Sequence, residues 1–187
     1  MGAIIFFVLL AVLALWVIGA YNRLIALKNQ VVNGWKQIDV QLKRRHDLIP
    51  NLVETVKGSM NFEKSTLEAV ISARNKAMGA SGVKETAAAE GQLSQTLGRL
   101  FALSEAYPDL KSNQNVLQLQ EELTGTENKI GFARQFYNDI ATTYNTATQV
   151  IPGNLIAGFA GFRPAEMFEI TDATERAVPA VDLSMKG

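Results

Sequence analysis

The chain opens with a long run of hydrophobic positions that no charged residue or proline interrupts. Residues 3–20 read AIIFFVLLAVLALWVIGA, with Gly19 as the one glycine, and every Lys, Arg, Asp and Glu lies after this run. As an α-helix, a run of 18 residues would extend about 27 Å, close to the ~30 Å hydrocarbon core of a bilayer. The pattern therefore predicts a transmembrane anchor over residues 1–20.

Two other interpretations of this run fit less well. A cleaved signal peptide begins with a basic region, which is missing here, and it carries a small residue where Ile18 stands. A buried core helix of a small domain is seldom apolar on every face over such a length. Trp16 and Tyr21 lie near the end of the run, where amphipathic rings settle at the level of the lipid headgroups.

The charges that flank the run predict its orientation. Arg23, Lys28 and Lys36 follow it and no basic side chain precedes it, so the positive-inside rule places the amino terminus outside and the remainder in the cytoplasm. We expect four residues at the membrane interface: Trp16, Tyr21, Arg23 and Lys28.

Beyond the anchor, apolar residues recur at steps of three and four, which predicts a helix with a coiled-coil-like seam. The seam contains Val31, Trp35, Ile38, Leu42, Ile49, Leu52 and Val56, with Arg45 as a polar interruption. No glycine or proline cluster precedes it, so we expect one helix to run from the bilayer into the domain. Pro50 clashes with the carbonyl of His46 and removes a donor, which predicts either a kink or a break with an immediate restart.

The rest of the chain predicts further helices and no strand. Residues 79–82 form a turn, residues 85–106 a helix, and residues 116–151 a second heptad seam that requires about 54 Å of helix. The fold class is therefore all-α: a transmembrane helix continuous with an antiparallel bundle of three to four long helices over residues 21–162. We expect residues 163–187 to form an irregular tail.

Charge is balanced overall but unevenly distributed. The chain has 18 basic and 18 acidic side chains and no cysteine, and it shows no broad basic face for a nucleic-acid partner. Lys43, Arg44 and Arg45 would lie about 35 Å beyond the anchor, much further than the ~8 Å over which salt screens a membrane charge. They either face solvent or face acids of another helix or another protomer, namely Glu121, Glu122 and Glu127.

Candidate chemistry is sparse. His46 is the single histidine, and Lys43 stands where a Glu-x-x-His metal motif needs its glutamate. With no nucleophile elbow either, we predict no catalytic, metal or cofactor residue. An enclosed pocket lined by His46, Asp39 and Glu54 would favour a ligand sensor or an enzyme instead.

Aromatic residues extend beyond the two seams. Tyr137 and Tyr144 lie one heptad apart, and we interpret them as core residues whose hydroxyls reach water rather than as a ligand box. Four phenylalanines exceed what one seam needs, and they either close a fourth side of the bundle or pack against a neighbour. These are Phe132, Phe136, Phe159 and Phe162.

The stretch WKQIDVQLKRRHDLIPNLVETVKG at residues 35–58 resembles the signature of the bacterial LemA family. The stretches YPDLK at 107–111 and LQEELTGTEN at 119–128, and the Tyr-Asn pairs at 137–138 and 144–145, resemble it too. The resemblance implies a single-pass protein of the bacterial inner membrane with a membrane-proximal helical bundle. It implies no established reaction and no cofactor.

These observations predict a non-enzymatic, membrane-anchored helical scaffold that self-associates into a homo-oligomer at the membrane. The bilayer concentrates the chains in two dimensions, and a stiff helix sets the distance of the bundle from the lipid. The alternative is an adaptor that docks to a membrane protease or a quality-control complex. A small-ligand sensor or an enzyme is the interpretation with least support.

Overall fold

The computed structural model describes residues 1–58 and 63–169, and within these ranges it contains six α-helices and no strand. The predicted all-α fold is confirmed. The helices are α1 (Gly2–Lys57), α2 (Lys64–Gly79), α3 (Val83–Ser104), α4 (Pro108–Lys111), α5 (Gln114–Gln149) and α6 (Gly153–Ala160). The predicted tail falls outside the described residues from residue 170 onward.

Helix α1 joins the apolar run to the bundle without interruption, as predicted. It has 56 residues and is therefore about 84 Å long. Its most apolar window of 18 residues has a mean hydropathy of 2.9 and none of it is buried in the protein. Among the described residues it is the one helix long and apolar enough to cross a membrane. The apolar run of residues 3–20 is therefore not a buried core helix. Only from Leu24 onward is one face of α1 buried.

Pro50 lies inside α1 and does not end it. Helical structure continues to Lys57, so the alternative of a break with a restart is wrong. Since proline has no N–H, the carbonyl of His46 lacks its intrahelical donor. Nε of Arg74, from α2, donates a hydrogen bond to this carbonyl over 2.8 Å. A side chain from the neighbouring helix thus replaces the bond that Pro50 removes.

Helices α1 and α5 pack against each other along most of the bundle and run antiparallel. Gly34 lies against Tyr137, with 3.5 Å separating an ideal Cβ at the glycine from the Tyr137 Cα. Arg45, further along α1, pairs with Glu127, which lies earlier in α5. Helix α2 returns along α1, and a tight turn ending at Gly82, where φ is +79°, reverses the chain into α3.

The buried apolar residues form two clusters at different heights. The cluster nearer the anchor joins α1, α3 and α5 to residue 168, and it contains Ile38, Leu42, Ala87, Ile130, Tyr137, Ala141 and Phe168. The distal cluster joins α1 to α2, α3, α4 and α5 and is built on Ile49, Leu52, Val56, Leu67, Val70, Leu93, Leu97, Leu100, Leu110 and Leu123. Leu42 and Ile49 are consecutive apolar seam positions of α1, so the boundary between the clusters falls at Arg45.

The seam of α5 departs from the heptad prediction near its end. The heptad pattern of residues 116–151 places Ile140 and Ala147 on the seam, but the buried residues are Ala141 and Thr148, one position later in each case. Ile151, the expected last seam residue, is 82 % exposed. A straight helix turns every 3.6 residues, so a pattern of period 3.5 drifts off the buried face over several heptads.

Candidate functional site

A layer of polar side chains separates the two apolar clusters. Nη1 of Arg45 lies 3.2 Å from Oε2 of Glu90, and its Nη2 lies 3.2 Å from Oε2 of Glu127. Nη2 also donates to Oγ of Ser94 over 2.7 Å, and Nε2 of His46 lies 2.7 Å from Oε1 of Glu90. These five residues are called the polar layer below. Arg45 is 3 % exposed and Glu90 1 %.

The polar layer connects three helices, because α1 carries Arg45 and His46, α3 carries Glu90 and Ser94, and α5 carries Glu127. An axial shift of any one helix would separate a buried guanidinium from a carboxylate, which is costly in the protein interior. Both carboxylate oxygens of Glu90 have a partner on α1, so this carboxylate holds α3 against α1. No cluster of three or more potential metal ligands occurs within residues 1–58 and 63–169.

Of the three residues proposed for a ligand pocket, Asp39 and His46 line the same cleft, whereas Glu54 lies elsewhere. An open cleft of about 400 Å³ is lined by Asp39, His46 and Glu90. Glu54 is not among its lining residues and is instead exposed, with its carboxylate 3.6 Å from Nζ of Lys57. The cleft is therefore the outer edge of the polar layer rather than an enclosed chamber.

The predicted charge contacts are divided between the interior and the surface. Arg45 meets Glu127 within the same chain at 3.2 Å. Lys43 and Arg44 are exposed, and within the described part of the chain they form no ion pair. Glu121 and Glu122 likewise have no ion-pair partner there, so any contact of these four with a second protomer stays a prediction.

Phe132 and Phe136 line an open groove between α1 and α5. They are 72 % and 48 % exposed, and Val40 of α1, on the other wall, is 62 % exposed. Lys36 and Lys129 also line the groove, which has a volume of about 550 Å³. This set of residues is called the apolar groove below. Because both rings face solvent, they do not close a further side of the bundle.

The end of the bundle near the anchor is held by aromatic contacts. The ring of Phe162 packs edge-on against Tyr21, with centroids 5.7 Å apart, and Nζ of Lys28 lies 5.8 Å from the centre of the Phe162 ring. Phe162 is thus used within the chain. Phe159 is 98 % exposed and Trp16 49 %, and Arg23 lines a cleft with the turn between α5 and α6.

The chain after α6 lies along α5, held by two Tyr-Asn pairs. The Asn138 side chain accepts from the Phe168 amide over 2.9 Å and donates to its carbonyl over 3.1 Å. One heptad on, Asn145 forms the same two bonds with Ala165, over 2.7 and 2.9 Å. Residues 162–169 are called the C-terminal segment below, and the four residues of the two pairs the clamp.

The hydroxyls of the two tyrosines belong to the clamp, contrary to our expectation that they reach water. Tyr137 donates to the carbonyl of Glu166 over 2.7 Å, and Tyr144 to that of Arg163 over 3.0 Å. Desolvation by burial raises the pKa of both phenols above the ordinary 10.0, and the Glu166 carboxylate adds to the rise in the Tyr137 pKa. The repeated Tyr-Asn pair was the sequence signal that could have revealed the clamp, since an amide side chain can bond both backbone groups of one residue.

Comparison with known proteins relates this chain to the LemA family both by its family profile and by an individual relative. The profile of the LemA family matches residues 34–183. Protein LemA of Metamycoplasma hominis is 30% identical over 159 residues, which is 81% of this chain and 72% of that protein. Magnetosome protein MamQ 2 of Paramagnetospirillum magneticum is 26% identical over 175 residues, 80% of this chain and 64% of its own length.

Magnetosome protein MamQ of Magnetospirillum gryphiswaldense is 26% identical over 174 residues, again 64% of its own length. The present chain thus spans slightly less than two thirds of each MamQ protein, and none of these names denotes an enzymatic activity. With an anchor-like helix continuous with an all-α bundle, and with a family match over most of its length, the chain belongs to the LemA family.

Proposed function

We propose that this protein is a non-enzymatic scaffold of the bacterial plasma membrane, anchored by α1, whose bundle lies in the cytoplasm and self-associates. The observation that carries the proposal is the continuity of α1. The same helix supplies the unburied apolar window and, from Leu24 to Val56, one wall of the core. A bundle attached in this way keeps a constant height above the lipid.

Constant height restricts how two copies can meet. Copies anchored in one bilayer share an orientation, so a closed dimer can form only about an axis normal to the membrane. Any surface on one copy then lies level with the same surface on the other. The apolar groove lies on the side of the bundle, where Val40, Phe132 and Phe136 expose apolar atoms. Two copies can therefore bring their grooves together side by side.

Burial of the groove supplies a driving force for the contact. Removing a large aromatic side chain from water contributes about 1.5–3 kcal/mol, and two rings from each copy would be covered. Lys36 and Lys129 also line the groove, so in a groove-to-groove dimer these like charges must stay hydrated at the edge of the contact while the rings are buried. Because the shared orientation brings identical surfaces level and apolar burial favours the contact, we assign the groove to a second copy of this chain.

Cysteine cross-linking in the membrane tests self-association, since the natural chain has no cysteine. In Phe132→Cys, the two thiols of a groove-to-groove dimer come close, and mild oxidation should yield a covalent dimer. Leu117→Cys is the matched control because Leu117 lies on the same helix and is 48 % exposed, about 22 Å from residue 132 along the axis. It should yield no dimer.

Three results would contradict the proposal in distinct ways. Equal dimer yields from both variants would remove the groove from the contact. A single adduct with another membrane protein, without self-adducts, would favour the adaptor interpretation. Labelling of Leu117→Cys by a membrane-impermeant maleimide added outside intact spheroplasts would place the bundle outside the cytoplasm.

A further inference from the structure

A stripe of exposed apolar side chains follows the end of α5. Ile151, Leu155 and Phe159 recur every four residues and are 82 %, 70 % and 98 % exposed. This set is called the apolar stripe below. Residues 150–162 contain no charged side chain, so the segment carrying the stripe has little to hold it in water. Large apolar side chains left exposed in an uncharged segment mark a candidate contact surface.

Helix α6 lies beside the last turns of the apolar run. Leu155 and Phe159 form one wall of a surface groove whose other wall is Val17, Ile18 and Tyr21 of α1. Val17 and Ile18 belong to the run of residues 3–20 that is long enough to cross the hydrocarbon core. If α1 spans the bilayer as proposed above, a helix that touches these residues lies at the depth of the boundary between acyl chains and headgroups.

The turns at both ends of α6 keep it against α1. At its start, a Cβ on Gly153 would collide with the carbonyl oxygen of Ala147, so only glycine allows the chain to fold back this closely on α5. At its end, Gly161 adopts φ +72°, a left-handed conformation that favours glycine. Directly afterward, Phe162 packs on Tyr21 and under Lys28. The position of the stripe beside the run is therefore set by the fold.

We propose that α6 is a second membrane-contacting element, and that the apolar stripe lies in the bilayer interface with Phe159 among the acyl chains. The bundle would then touch the lipid at two places, the anchor and α6, which would prevent it from rotating or tilting freely about α1.

Basic side chains surround this contact at the level of the headgroups. Lys28 is held over the Phe162 ring, Arg23 lines the cleft next to residues 150–153, and Arg163 directly follows the uncharged segment. Cations in this position attract anionic headgroups, while the stripe enters the apolar layer beneath. The same division between a charged rim and an apolar face is typical of helices that lie in the membrane plane.

Spin-label depth measurements test the proposal on the full-length protein. A nitroxide is placed at Phe159→Cys or Leu155→Cys in nanodiscs of phosphatidylcholine and phosphatidylglycerol. Its relaxation by oxygen, which concentrates in acyl chains, is compared with that by a water-soluble nickel chelate. Leu117→Cys, at the membrane-distal end of α5, is the aqueous control, and circular dichroism verifies that each variant keeps its helical content.

The proposal predicts an oxygen-to-nickel accessibility ratio at residues 155 and 159 several-fold above that at residue 117. Ratios at both sites equal to the aqueous control would overturn it. Low accessibility to both reagents, with an immobilised spectrum, would also overturn it, because the stripe would then be covered by protein. Neither result bears on the apolar groove, so self-association is judged separately by cross-linking.

Discussion

The carbonyl of His46 has lost its intrahelical donor to Pro50, and Arg74 of α2 supplies the replacement. The bond runs from a charged Nε to the carbonyl oxygen over 2.8 Å, and hydrogen bonds to charged groups contribute about 1.5–3 kcal/mol. Arg74 is half-buried, so in its absence water can partly replace the hydrogen bond to the His46 carbonyl. We therefore expect Arg74→Ala to lower the free energy of unfolding by about 1.5 kcal/mol, or the melting temperature by about 3–6 °C.

The same substitution should cost much less when residue 50 is alanine. In Pro50→Ala the restored N–H of α1 bonds the His46 carbonyl, so Arg74 is no longer needed for this acceptor. We expect Arg74→Ala to cost about 0.5 kcal/mol in that background, which gives a coupling of about 1 kcal/mol between the two positions.

Unfolding by urea in nanodiscs measures the cycle. Trp35, which packs 5.8 Å from Tyr137 between ring centroids, reports on the bundle by fluorescence when Trp16 is replaced by Phe. The control is Lys76→Ala. Lys76 lies on α2, as Arg74 does, and its substitution removes a single exposed hydrogen bond to Gln92 of α3, with an expected cost below about 0.5 kcal/mol. If Arg74→Ala costs the same with the natural proline and in the Pro50→Ala background, the assignment of this bond as a substitute donor is refuted.

Three further predictions concern the polar layer and the clamp. Glu90→Ala leaves Nη1 of Arg45 and Nε2 of His46 without their carboxylate, while Glu127 still pairs with Arg45. It should therefore lower the free energy of unfolding by about 3 kcal/mol. Glu54→Ala, which removes an exposed pair, should cost under about 1 kcal/mol, and thermal melts compare the two. Asn138→Ala should accelerate amide exchange in the C-terminal segment at least tenfold, the equivalent of about 1.4 kcal/mol, by mass spectrometry, and unchanged exchange would contradict the clamp. Burial raises the pKa of Tyr137 and Tyr144, so above pH 10.0 the folded state keeps protons that the unfolded state releases. The free energy of unfolding should therefore fall as the pH rises above 10.0. Replacing both tyrosines by Phe should remove this dependence on pH, as measured by urea titrations.

The elements of this fold were predictable from local patterns. An uncharged apolar run, seams with steps of three and four, and glycine or proline at the ends of helices predicted an all-α protein with α1 continuous from anchor to bundle. Such patterns indicate which face of a helix is buried, and they can be read from residues only a few positions apart in the sequence. Even the unsatisfied carbonyl at His46 followed from the presence of Pro50 alone, although its partner did not.

The partners across helices needed the tertiary structure. Arg45 was recognised as a polar interruption of the seam, yet its pairing with Glu90 depends on how α3 sits against α1, at a separation of 45 residues. The clamp was missed for the same reason: the repeated Tyr-Asn pairs are visible in the sequence, but the backbone amides and carbonyls that they bind lie in a separate segment that no side-chain pattern marks. The exposure of the apolar stripe likewise follows from where α6 folds back. Hydrophobic periodicity determines which surfaces must be buried, whereas the geometry of helix packing decides which groups meet there.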